Sequence, residues 1–144
     1  MPINKNIEFF IPNFENSREL PFITSGIKAG FPSPAADFDE TRISLDKALV
    51  KNPDTTFYAK ANGQSMKGAG IDDGDIMVID RSIEPRNNKI AVCLIDGEFT
   101  VKRIKKTKEE LFLMPENSDF QPIKINEDNQ LVIWGIVTYV IKKV

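Results

Sequence analysis

From Thr56 onward the chain is a succession of short apolar runs cut by turn signals, and this rhythm constrains the fold more than any other feature. Runs 56–61, 76–79, 90–95, 98–105, 111–114 and 131–141 are rich in β-branched and aromatic residues and have strand length. Asp96-Gly97 reads as the two-residue turn of a hairpin. Gly63-Gln-Ser-Met-Lys-Gly-Ala-Gly70 and Asp72-Asp-Gly-Asp75 read as loops. Short strands joined this way predict a mainly antiparallel β domain. One helix is expected over 44–50, with Ser44 as N-cap, Leu45, Ala48 and Leu49 on one face, and Asn52-Pro53-Asp54 ending it. Residues 1–29 carry three prolines and scattered aromatics without a sustained period, so they read as an arm packed loosely on something else. Beyond it, Phe31-Pro-Ser-Pro34 forbids helix.

Two scarcities narrow the chemistry. The chain has no histidine, so neither a Ser-His-Asp nor a Cys-His arrangement can form within it, and a zinc site would lack its usual ligands. No metal or other cofactor is expected. The single cysteine, Cys93, lies inside an apolar run and is most simply a core residue. Nucleophilic chemistry then needs another base, and lysine is the main candidate. The formal net charge of -2 supplies no global attraction to DNA or anionic lipid. No apolar run approaches membrane-spanning length, and the start lacks the features of a secretion signal, so a cytoplasmic protein is expected.

Ser65 stands in the glycine-rich loop directly after a strand. Gly63, Gly68 and Gly70 give that backbone access to positive φ, which can expose a hydroxyl and aim N–H groups at a developing oxyanion. By pattern alone such a serine is more often a polar turn residue. Lys102 lies in the strand-like Glu98-Phe-Thr-Val-Lys-Arg-Ile104; alternation puts Thr100 and Ile104 on its face and Phe99 and Val101 on the other. Spacing alone does not single it out among the chain's lysines. The basic cluster over 102–106 reads as a solvated strand end, and Asp72, Asp73 and Asp75 as turn residues.

Several segments together carry a resemblance. Ala29-Gly-Phe-Pro-Ser-Pro-Ala-Ala-Asp-Phe38, Gly63-Gln-Ser-Met66, Gly70-Ile-Asp-Asp-Gly-Asp75, Asp96-Gly-Glu-Phe-Thr-Val-Lys102, Met114-Pro-Glu-Asn-Ser118 and Trp134-Gly-Ile-Val137 occur in that order. The chain resembles the UmuD proteins among the LexA-like self-cleaving serine peptidases. The resemblance implies a curled antiparallel sheet with one short helix and an extended N-terminal arm. It implies Ser65 as nucleophile, Lys102 as the base and Ala29–Gly30 as the scissile bond, so that residues 1–29 are removed from a peptidase and dimerisation domain over 30–144. Many UmuD proteins cut Cys-Gly; Ala29 departs toward the wider family. It further implies a homodimer, a RecA–single-strand DNA filament as co-protease, and a Y-family DNA polymerase subunit as partner in SOS mutagenesis.

An extended segment over 26–30 would project Ile27 and Ala29 to one face, where pockets can take them, and Lys28 to the other. The backbone N–H groups of Gln64 and Ser65 are the expected oxyanion donors. Two alternatives stand beside self-cleavage: a non-catalytic dimeric module that binds a polymerase, and a fragment of a LexA-like repressor. Twenty-nine residues with three prolines are too few for a helical DNA-reading headpiece, so no sequence-specific DNA binding is expected. Signal-peptidase-like cleavage of exported proteins uses the same chemistry but needs a membrane anchor.

Overall fold

The computed structural model describes residues 7–15, 17–23 and 40–144. The chain divides into two compact units, Met1–Pro12 with Asn52–Val144, and Asn13–Lys51. The first unit is one eight-stranded, curled antiparallel sheet. Its strands are β1 (Ile7–Phe10), β4 (Thr56–Ala61), β5 (Ile76–Asp80), β6 (Ile90–Ile95), β7 (Glu98–Lys106), β8 (Leu111–Met114), β9 (Ile123–Ile125) and β10 (Leu131–Ile141). Their spatial order is β1-β4-β5-β10-β6-β7-β8-β9. The mainly β class read from the short apolar runs is what forms.

Local chemistry explains the pairing. Asp96 and Gly97 both take positive φ, as a two-residue turn between right-twisted strands requires, and the turn pairs Ile95 with Glu98. β10 lies between β5 and β6 and shifts register beside Gly135, where an added Cβ would lie 2.5 Å from Ile79 Cγ2. The sheet buries two apolar clusters. One holds Met66, Ile71, Met77, Ile79 and Val92, joined by Ile7 of β1; the other holds Ala91, Cys93, Ile104, Leu113 and Ile136.

The second unit contains the strand pair β2 (Leu20–Ile23) and β3 (Glu40–Ile43) and the helix α1 (Leu45–Leu49). The helix falls where expected, but two details differ. Ser44 occupies the N-cap position without capping; its hydroxyl instead bonds that of Ser17. Leu45 and Ala48 are exposed rather than turned into a shared apolar face, since a helix of five residues is too short to present a continuous stripe. The arm is also more ordered than its sequence suggests: Ile7–Phe10 forms a sheet edge and Leu20–Ile23 one half of a strand pair. Ile27, Ala29 and Gly30 lie outside the described residues.

Candidate active site

The loop after β4 is held from both sides. The Gly63 N–H donates to Asp73 Oδ1 at 2.7 Å, and Met66 and Ile71 sink into the first core cluster. A single 3-10 turn over Lys67–Ala69 follows. The Gln64 carbonyl accepts from the Lys67 N–H and, at 2.8 Å, from Asn117 Nδ2. The Ser65 carbonyl accepts from the Glu116 N–H at 2.8 Å, while the Gly68 N–H donates to the Glu116 carbonyl at 2.7 Å. Each tied carbonyl fixes its peptide plane, so the Ser65 N–H is aimed away from Asn117. Asn117 and Glu116 were not singled out individually in the sequence; they fall within the Met114–Ser118 motif.

The Gly68 contact leaves no room for a side chain, because an added Cβ would sit 2.5 Å from the Glu116 backbone oxygen. Gly68→Ala is therefore expected to push the 116–117 segment off the loop. A drop of at least about tenfold in any reaction that depends on Ser65 follows from misplacing a reacting group by a fraction of an ångström. Gel densitometry of the reaction, with thermal melting as a check on folding, reads this out.

Lys102 reaches the same loop from β7. Its cross-strand neighbour is Ala91, a small and fully buried residue that leaves space for the lysine stem. Lys102 is only 7% exposed. Its Nζ lies 3.0 Å from Ser65 Oγ, 2.7 Å from Thr100 Oγ1 and 3.1 Å from the Val101 carbonyl. The expected face-sharing of Thr100 and Lys102 is thus realised as a direct hydrogen bond.

Burial pushes the Lys102 ammonium below the ordinary lysine range, and the nearby Cys93 only partly opposes this. Burial also pushes the Cys93 thiol up to about 12, with the Lys102 charge working the other way. At neutral pH Cys93 is therefore a protonated core thiol, and it supplies no counter-charge. Among the described residues no carboxylate pairs with Lys102.

Ser65 and Lys102 open onto a cavity of about 280 Å³ whose apolar walls include Ile7, Ala61, Ile71, Phe99 and Phe120. Nothing in the sequence pointed to Ile7 or Phe120 as wall residues. Of the charged residues singled out in the sequence, Asp75 and Arg103 have structural partners. Burial would raise the Asp75 carboxyl, but hydrogen bonds from Lys142 and the Asp72 N–H hold it below the usual range. Arg103 Nε donates to Glu116 Oε1, while Lys105 and Lys106 are exposed, as a solvated strand end should be. Among the described residues no cluster of acids and cysteine forms a metal site, and no helix is long and apolar enough to cross a membrane.

The profile of the peptidase S24-like family matches residues 21–138. The chain belongs to the peptidase S24-like family. It is 40% identical to the protein MucA of Salmonella typhimurium over 121 residues, which covers 83% of this chain and 82% of that protein. It is 35% identical to the protein ImpA of Salmonella typhimurium over 133 residues, covering 92% and 90%. The LexA repressor of Thiobacillus denitrificans is 40% identical over 121 residues, covering 83% of this chain and 60% of the repressor. The UmuD-like and LexA-like resemblance carried by the ordered motifs is thus borne out. Peptidase S24-like proteins are self-cleaving serine peptidases.

Proposed function

We propose that this chain is a serine peptidase that cuts its own Ala29–Gly30 bond, with Ser65 as nucleophile and Lys102 as general base. The observation that carries the reading is a buried lysine with no counter-charge among the described residues, its amine 3.0 Å from a loop hydroxyl. A neutral amine has two N–H groups and one lone pair. The Val101 carbonyl and Thr100 Oγ1 can accept the two N–H groups, which leaves the lone pair for the Ser65 O–H.

The steps follow. Lys102 takes the Ser65 proton as Oγ bonds to the Ala29 carbonyl carbon, and the N–H groups of Gln64 and Ser65 receive the oxyanion. As the C–N bond breaks, the Lys102 ammonium returns the proton to the Gly30 nitrogen. Water, deprotonated by the same amine, then hydrolyses the ester and frees residues 1–29. The apolar walls of the cavity at Ser65 would take Ile27 and Ala29 of an extended 26–30 segment.

In this reading residues 30–144 form a homodimer in the cytoplasm that joins a Y-family polymerase for translesion synthesis after DNA damage, and a RecA–single-strand DNA filament accelerates the cut. The relatedness to MucA and ImpA supports that setting. Incubating the purified chain with and without activated RecA filament, and measuring intact mass, tests it. The expected product begins at Gly30 and forms faster with the filament. A chain that stays whole under both conditions sinks the reading.

A further inference from the structure

β1 belongs to the segment that the proposed cut removes, yet it forms the edge of the sheet. Its register on β4 pairs Ile7 with Ala61, Glu8 with Lys60, Phe9 with Ala59 and Phe10 with Tyr58. Alternation sends Ile7 and Phe9 inward, over the two small residues of β4, and leaves Glu8 and Phe10 exposed. Ala59 and Ala61 are only 1% and 5% exposed, so β1 covers two sockets that small side chains keep open. Phe9 fills its socket against Trp134 and Phe99, with ring centroids 4.5 and 5.0 Å away. Glu8 stands opposite Lys60 on the solvent side, so the seat also favours an acid between its apolar anchors.

We infer that self-cleavage unmasks this edge as a docking site for an extended segment of another protein, with a branched aliphatic, an acidic and an aromatic residue in succession. The inference rests on the proposed cut at Ala29–Gly30. While the chain is whole, the covalent link keeps β1 at an effective concentration on the order of millimolar. Once cut, residues 1–29 lose that advantage and keep two four-residue strands, β1 on β4 and β2 on β3; without the link the fragment dissociates on dilution, leaving β4 with an unpaired edge and an uncovered aromatic floor. A fully processed population no longer carries residues 7–10 in place, so the incoming strand comes from a different protein, and strand addition is the binding mode.

The chain's single tryptophan, Trp134, reports on the seat. The probe is a synthetic peptide of residues 5–12, tested against three forms: Ser65→Ala, Ser65→Ala with Phe9→Ala, and the wild type after processing. The expected result is no binding to the first, whose seat is filled, and binding with a change in Trp134 emission to the other two. The same peptide carrying Phe9→Asp should bind at least tenfold more weakly. If the vacated variant and the processed chain both ignore the peptide, the inference is overturned. If either form instead has more subunits than Ser65→Ala, the edge serves a second copy and the inference is equally overturned. A wild type that never shortens counts against the cleavage reading alone, and the vacated variant then decides the docking edge by itself.

Discussion

Lys102→Ala is expected to slow formation of the Gly30 fragment by about 10²–10⁴-fold, the usual contribution of a positioned general base. Ser65→Ala should abolish the reaction, because the atom that forms the ester is gone. Lys102→Arg should not rescue, since a guanidinium stays protonated at any working pH. The pH profile gives the sign. Only the neutral amine accepts the serine proton, so the rate climbs about tenfold per pH unit while Lys102 is mostly protonated, and levels off above its pKa. Burial lowers that pKa, so the plateau arrives below the pH at which an ordinary lysine would give it. Initial rates of fragment formation from about pH 7 to about pH 11 measure this. Cleavage by Lys102→Ala at the wild-type rate, or a profile that falls with pH, would exclude Lys102 as the base.

The steepness of that expectation comes from the geometry at Nζ. Among the described residues three acceptors surround it, and none of them is charged. An ammonium there has its N–H groups satisfied but not its charge, so the cost of protonation is electrostatic rather than a missing hydrogen bond. Thr100 and the Val101 carbonyl therefore do more than hold the stem. With the proton gone they leave one direction for the lone pair, and Ser65 lies along it.

How much of this could be read from the chain differs by element. Strands Thr56–Ala61, Ile90–Ile95, Leu111–Met114 and Leu131–Ile141 have the predicted bounds, because each is a dense β-branched or aromatic run closed by turn residues. The strands missed are β1, β2, β3 and β9, all of three or four residues. Their order depends on a neighbour rather than on composition. Ile7–Phe10 is held by the sockets over Ala59 and Ala61, fifty residues away in sequence and absent from any local window. The candidate site divides in the same way. Ser65 was visible as a loop serine, and its glycines as a reason for the loop. Lys102 had no local mark beyond strand alternation, and only the ordered motifs selected it. Of the contacts that pin the serine loop, those of Glu116 with Ser65 and Gly68 run between main-chain groups, which residue types do not announce, and that of Asn117 runs from its side-chain amide to the Gln64 carbonyl, a partner 53 residues away.

Met77→Ala and Leu113→Ala are each expected to lower stability by about 2–5 kcal/mol, because both side chains are fully buried and their removal leaves a cavity. For a chain of this size that corresponds to a melting point lower by roughly 5–15 °C. The two differ in where the cavity opens. Met77 belongs to the cluster that contains Met66 and Ile71, the two anchors of the serine loop. Leu113 belongs to the other cluster, with Ala91, Cys93 and Ile104. Surroundings relax partly into a new cavity, so Met77→Ala draws Met66 inward and takes Ser65 with it, while Leu113→Ala leaves the loop anchors packed. At a temperature where both variants remain folded, Met77→Ala should therefore cleave several-fold more slowly than Leu113→Ala despite a similar loss of stability. Paired measurement of melting and cleavage on the two variants tests this. Equal cleavage rates would mean that the serine loop is held by its hydrogen bonds to 116–117 alone, and that the core beneath it contributes only to the stability of the sheet.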